Sequence, residues 1–219
     1  MIPNDALAKA HRIATAFLRC DPGCGRNLIA IAGPPAAGKS TVAQCVCEAL
    51  EKRGYLVGLV PMDGYHMDND TLRSRGLLSR KGAPETFELT AFRDVVHRLK
   101  TEPVVNIALF DRGLDATVPD AMTVSAQQKI VVVEGNYLLF DAWGWRDLKA
   151  SWDFSVFIEE DLPILEDRLI ARWLDHGLAP QAAIARAHSN DIPNAKRVLS
   201  QRLAASLCLS PERAGSPTD

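Results

Sequence analysis

Gly33-Pro-Pro-Ala-Ala-Gly-Lys-Ser-Thr41 fits G-x-x-x-x-G-K-[ST] at every fixed position. Before it runs a short apolar stretch, Asn27-Leu-Ile-Ala-Ile-Ala-Gly33, which predicts a strand buried on both faces. After it comes a helical pattern from Lys39 to Arg53, with Gly54 placed to cap its end. Strand, glycine-containing loop and helix in that order make a cradle for phosphates. The loop's N–H groups converge on the anion, and glycine lets the main chain wrap closely. The helix adds unpaired N–H groups and the positive end of its dipole. On this basis Gly33, Pro34, Pro35, Ala36, Ala37, Gly38, Lys39, Ser40 and Thr41 are expected to hold a nucleotide. Lys39 would sit between the β- and γ-phosphates, and the Ser40 hydroxyl would hold Mg²⁺.

Working outward, the 219 residues suffice for one α/β domain, taken as 1–219. Formal net charge is −2, which gives no reason to expect nucleic acid or an anionic membrane surface as a partner. No apolar run approaches the ~20 residues of a membrane helix, and Met1 to Arg12 has no signal-peptide core, so a cytoplasmic protein is expected. The five cysteines are expected to be reduced thiols. Cys20-Asp-Pro-Gly-Cys24 lacks the second pair or neighbouring histidines that a zinc site needs.

Apolar spacing predicts a helix over Asp5 to Arg19, broken by Pro22-Gly-Cys-Gly. Further strands are expected at Tyr55 to Pro61, Lys129 to Gly135 and Trp152 to Ile158. Helices are expected at Leu89 to Lys100, Leu162 to His176 and Pro180 to Ser189. Residues 62–88 read as a long polar loop on the acceptor side. Residues 104–124 read as an antiparallel insertion, 162–189 as a helical lid, and 210–219 as a frayed tail. The fold class is α/β: a three-layer P-loop NTPase fold with a mainly parallel five-stranded sheet.

Phosphate cradles serve switches, motors and kinases alike, and three features favour a kinase. The guanine-reading N-K-x-D segment of a GTPase is absent. Two strands end in acids, Asp63 and Glu134, which an α/β sheet would deliver to the crevice at its carboxyl edge. Asp63 could orient an acceptor hydroxyl, although Asp-Gly pairs also form turns. Glu134 could orient Mg²⁺ through water or polarise the acceptor side. Arg168 and Arg172 lie four apart on one helix face, from which they could close over phosphates; a solvated basic face is the plainer alternative. The cluster Arg73, Arg75, Arg80 and Lys81 hints at an anionic acceptor, or at an ordinary solvated loop.

With these residues in place, the chain resembles P-loop kinases of the uridine kinase, pantothenate kinase and phosphoribulokinase group. The nearest likeness is to bacterial nucleoside/nucleotide kinase-like proteins and those labelled fructose transport system kinases. The resemblance runs from about Leu28 to Leu199. It rests on Gly33–Thr41, Met62-Asp-Gly-Tyr-His66, Lys81-Gly-Ala-Pro-Glu-Thr-Phe87, Phe110-Asp-Arg112, Val133-Glu-Gly-Asn-Tyr-Leu138, Arg168/Arg172 and Asn190-Asp-Ile-Pro-Asn194. It implies ATP, Mg²⁺ and a small-molecule alcohol acceptor. It also implies that Asp63 contacts the acceptor hydroxyl, that Tyr65, His66, Lys81, Glu85 and Phe87 wall the acceptor site, and that Asn194 contacts adenine. Arg112 joins the pocket candidates. The proline that many relatives carry before the Phe-Asp pair is missing from Asn106-Ile-Ala-Leu-Phe110.

The resulting expectation is an ATP-dependent phosphotransferase with Asp63, Lys39, Arg172 and Arg168 as its catalytic set. Acceptors rank as a sugar or polyol, then a nucleoside, then a pantothenate-like acid. An ATP-binding regulatory or accessory NTPase without an acceptor is the alternative from another class. A nucleotide-monophosphate kinase would want more arginines aimed at a second phosphate. A homodimer stands as a candidate assembly.

Overall fold

The structure is a computed structural model that describes residues 4–142 and 144–211. Most of the 210–219 tail lies outside the described residues. Five strands form one parallel sheet: β1 (Asn27–Ala32), β2 (Val57–Pro61), β5 (Ile130–Gly135), β6 (Phe154–Ile158) and β7 (Leu207–Leu209). Their order is β2-β5-β1-β6-β7, so β1 and its loop sit at the centre. Every residue of β1, β5 and β6 is buried.

Alternation along the strands sorts the core into two layers. Leu28, Ala30, Val131 and Val133 face α4 (Leu89–Thr101), whose Phe92, Val96 and Leu99 cover them. Ile29, Ile31, Val132 and Val156 face the opposite layer, made by α1 (Asn4–Arg19) and α2 (Lys39–Glu51). α1 contributes Ala10, Ile13, Ala14 and Phe17 at helical spacing. The chain leaves α2 as expected: Gly54 has φ 89°, and its N–H donates to the Glu51 carbonyl at 2.9 Å.

The insertion is an antiparallel pair, β3 (Val105–Asp111) with β4 (Ala116–Val124). Its register shifts between Ile107 and Leu109. The excess residues fall in β4, where Pro119 has no N–H to give and Asp120 takes a left-handed φ of 50°.

Three expectations need correction. Residues 62–88 are not a structureless loop. They hold a 3₁₀ turn at Met62–Tyr65, the short helix α3 (Asn69–Ser74) and further 3₁₀ turns at Leu78–Arg80 and Pro84–Thr86. Asp68 starts α3 by accepting the Thr71 N–H at 2.7 Å. The helical run expected as a lid does not end at residue 189. After α5 (Leu162–Asp175) and α6 (Pro180–Arg186), a π turn at Ala187–Asp191 leads directly into α7 (Ile192–Ser200). Finally, β7 supplies the fifth strand of the sheet from a segment not expected to be extended.

Candidate active site

The cradle is built where β1 meets α2. A side chain on Gly33 would place its Cβ 2.6 Å from the Ile158 carbonyl oxygen at the end of β6, so only glycine lets the loop leave the sheet here. Gly38 precedes α2 with φ 80°, and Ala36 is held at φ 65°, a left-handed conformation uncommon for alanine. Lys39 is 7% exposed, and its Nζ donates to the Pro34 carbonyl at 2.8 Å. Burial lowers the Lys39 pKa to about 8, against the opposing pull of Glu134 and Asp63. A buried ammonium held by one loop carbonyl is a group prepared for an anion.

Glu134 lies between the cradle and β2, paired with Ile31 on one side and Pro61 on the other. Its carboxylate accepts the Ser40 hydroxyl at 3.1 Å. Burial raises the Glu134 pKa, and Lys39 opposes that shift. This hydroxyl–carboxylate pair, beside a loop shaped for phosphate, could supply oxygen donors to a magnesium ion bound with ATP.

Asp63 follows the end of β2 in the first 3₁₀ turn. Its side chain remains 42% exposed, with Oδ1 4.0 Å from the His66 Nε2. Gly64 is not merely a turn residue. A Cβ there would lie 2.0 Å from the Ala108 carbonyl oxygen, so its absence allows β3 to pack against the turn that carries Asp63. Gly135 similarly allows close approach, since a Cβ would lie 2.5 Å from the Met62 Cβ.

One crevice of about 370 Å³ collects these groups. It is lined by the cradle, Asp63, Glu134, Asn136, Arg112, Arg168 and Arg172. Arg168 donates to the Ala36 carbonyl at 3.1 Å and pairs with Glu160 at 3.0 Å, tying α5 to the phosphate loop. Sequence reasoning included Asn136 within a motif but gave it no role; an asparagine two residues past a strand-end acid carries no distinctive signal.

Other expected residues do not line this crevice. His66 is mostly buried, stacked on Phe87 at 4.1 Å between ring centroids and edge-on to Phe110 at 5.1 Å. Tyr65 and Phe87 belong to the core. Lys81 is tied to Asn69 and Asp115, both at 2.8 Å, and Glu85 to Arg80 at 2.5 Å. Arg73 pairs with Asp70, while Arg75 donates to the Met67 sulfur at 3.4 Å. The loop's basic cluster is thus largely engaged within the chain. Asn194 is 3% exposed and donates to the Asn190 side chain at 3.2 Å, and it does not line the crevice.

A parallel sheet with a phosphate loop at its centre, two acids at strand ends and two α5 arginines in one crevice is the frame of a P-loop kinase. The chain belongs to the phosphoribulokinase / uridine kinase family, whose model matches residues 28–173. It is an ATP- and Mg²⁺-dependent phosphotransferase with a small-molecule acceptor. It is 35% identical to YggC of Escherichia coli over 83% of this chain and 76% of that protein. It is 33% identical to the pantothenate kinase of Clavibacter michiganensis over 69% of this chain, and spans about half the length of that enzyme. A solved Silicibacter structure described as a "putative fructose transport system kinase" is 44% identical. That comparison covers 91% of this chain and 98% of the other, with a TM-score of 0.88. No helix among the described residues is long and apolar enough to cross a membrane.

Proposed function

We propose that this kinase transfers the γ-phosphoryl group of ATP to a hydroxyl of a small sugar-like or polyol acceptor. Asp63 would orient that hydroxyl and take its proton. The observation that carries this reading is the half-exposed Asp63 carboxylate in the same crevice as Lys39, Ser40 and Glu134. An acid at that place has no need to serve nucleotide binding, which the cradle already provides.

Phosphoryl transfer of this kind depends mainly on positioning and charge neutralisation. The N–H groups of Pro35-flanking residues 36–40, with Lys39, hold the triphosphate. Ser40, and Glu134 through water, would hold Mg²⁺, which would supply neutralisation of phosphate charge. Asp63 withdraws the hydroxyl proton as the acceptor oxygen bonds to the γ-phosphorus. The bond from that phosphorus to the bridging oxygen breaks, and its electron pair leaves with ADP. Arg172, with Arg168 second, neutralises charge on the transferring group from α5.

The test is ADP release from ATP–Mg²⁺ against a panel of sugars, polyols, nucleosides and hydroxy acids, with Asp63→Asn run in parallel. A positioned base typically contributes roughly 10²–10⁴-fold, so the variant should lose about that much turnover while keeping its ATP affinity. Loss of ATP affinity along with turnover would move Asp63 to the nucleotide side. A flat panel with intact ATP binding would favour an accessory NTPase.

A further inference from the structure

We infer that His66 is the positioning residue for Asp63: its buried Nε2–H holds one oxygen of that carboxylate and leaves the other for the acceptor hydroxyl. This rests on the kinase reading above, in which Asp63 serves the acceptor.

The His66 ring is clamped, and the acid beside it is free to turn. Phe87 stacks on the ring at 4.1 Å between centroids, and Phe110 meets it edge-on at 5.1 Å. Phe110 is covered in turn by the Lys81 ammonium, 5.0 Å from its centroid. The main chain is pinned as well. The His66 N–H donates to the Asp63 carbonyl at 3.3 Å, and the His66 carbonyl accepts the Thr117 hydroxyl at 3.2 Å. The Met67 N–H that follows donates to the Thr86 carbonyl at 3.0 Å. The His66 side chain is only 11% exposed, against 42% for that of Asp63. An exposed carboxylate next to a clamped ring adjusts by its own rotation.

The place of the ring proton follows from what each nitrogen meets. Burial pushes the His66 pKa down; Asp63 pulls it up, Lys81 adds to the fall and Asp115 opposes it. The neutral ring carries one proton. Nδ1 is buried and has no hydrogen-bond partner among the described residues. Nε2 lies 4.0 Å from the Asp63 Oδ1. A proton on Nδ1 would meet no acceptor and would turn the Nε2 lone pair towards a carboxylate. A proton on Nε2 meets that carboxylate, so the Nε2–H form is favoured. At 4.0 Å the contact is longer than a hydrogen bond, and a turn of the Asp63 side chain closes it. Catalytic hydrogen bonds commonly tighten in this way when substrate enters.

His66 is not among the residues lining the crevice, so it acts through Asp63 and not on the acceptor itself. During transfer the hydroxyl proton passes to the free oxygen of Asp63, while the Nε2–H stays where it is. A second proton on the ring would charge a buried group, so the proton leaves Asp63 by its exposed side to water.

Two measurements test this. Proton–nitrogen correlation spectra of the imidazoles read the tautomer with no acceptor present. The chain has five histidines, and the signal lost in His66→Phe is that of His66. We expect the Nε2–H form in the wild type and a shifted Nε2 signal in Asp63→Asn. ADP release is then measured with the member of the sugar, polyol, nucleoside and hydroxy-acid panel that raises it most. His66→Phe keeps a ring in the stack and removes the donor. Its KM values should stay within about twofold while kcat falls by about 10- to 100-fold. His66→Gln packs less well but offers an amide N–H at similar reach, so it should recover part of that kcat despite a lower Tm. In the Asp63→Asn background His66→Phe should change kcat by less than about twofold, because the acid through which it acts is gone. An Nδ1–H tautomer, a wild-type kcat in His66→Phe, equal losses in the Phe and Gln variants, or the full loss repeated in the Asp63→Asn background overturns the inference and leaves the kinase reading standing. If no compound raises ADP release, the kinase reading falls and this inference falls with it.

Discussion

Lys39 carries its ammonium into a nearly buried position, which makes nucleotide binding a proton-linked event. In the free protein burial holds its pKa at about 8, whereas phosphate oxygens around Nζ favour the charged form and raise it. Below pH 8 the group is already charged and binding takes up no proton there. Above pH 8 binding must recruit one, so ATP affinity should fall by up to about tenfold per pH unit. Calorimetry at pH 9 in two buffers of different ionisation enthalpy should reveal the uptake; its absence would show that Lys39 is charged before ATP arrives. Gly64→Ala makes a steric prediction instead. The added methyl meets the Ala108 carbonyl, a main-chain atom that cannot swing aside, so β3 or the Asp63 turn must move. A loss of about 1–3 kcal/mol in stability and at least tenfold in turnover is expected, read from a denaturant midpoint and the ADP-release assay. Lys39, Ser40, Asp63 and Glu134 could be picked out from sequence because each sits at a strand end or helix start, where side-chain direction follows from the element. The purpose of Gly64 could not, because Asp-Gly also spells a turn and only the approach of β3 shows the close contact. The burial of Asn194 was hidden for a related reason: its motif position was plain, but its surroundings depend on how α7 packs.

At the scale of elements, β1 is positioned by the arginine just before it. Arg26 donates from Nε, Nη1 and Nη2 to the carbonyls of Gln128, Leu99, Glu102, Pro103 and Ser125, at 2.7–3.1 Å. It thereby gathers the end of α4, the approach to β3, and the link between β4 and β5 around the base of the central strand. Arg26→Ala strips a charged partner from five main-chain acceptors and should cost about 2–4 kcal/mol in stability. Arg26→Lys should recover little, because an ammonium has three donors and no planar fork. Urea midpoints would measure both, and a midpoint within error of wild type would mean that water satisfies those carbonyls equally well. Long elements with strong periodicity, such as α1, α4 and β5, were legible from spacing alone. The short β7 was not, because three residues in a mixed segment gain strand structure only by pairing Val156, Phe157 and Ile158 of β6. The π turn after α6 was hidden for the same kind of reason. Its hydrogen bonding differs from an α-helix by one residue, and side-chain periodicity is too coarse to register that.

The whole molecule brings three bodies to one crevice: the sheet with its cradle, the hairpin with Arg112, and the lid with Arg168 and Arg172. The helices α5 to α7 are tied to two other parts of the chain. Leu169, Ala187 and Ile192 pack with Ala36 of the phosphate loop, while Asn190 donates to the Lys81 carbonyl at 2.9 Å in the segment between β2 and α4. A ligand in the cradle therefore joins parts that unfolding would separate, and its binding energy must appear as global stability. At a free ATP–Mg²⁺ concentration one hundred times Kd, the gain is about 2.7 kcal/mol. For a chain of this size that corresponds to a rise of roughly 5–10 °C in Tm. Asp63→Asn should keep the whole rise if, as proposed, the acid serves the acceptor. Lys39→Ala should lose nearly all of it at the same ATP concentration, although its own baseline Tm should not fall, since a buried charge has been removed. Arg172→Ala should keep most of the rise and lose turnover, because its charge is needed chiefly when the γ-phosphoryl group is in transit. A Lys39→Ala protein that still gained 5 °C would place the nucleotide outside the cradle. An Asp63→Asn protein that gained nothing would make that carboxylate part of the nucleotide site, and the division of the crevice into two halves would fail with it.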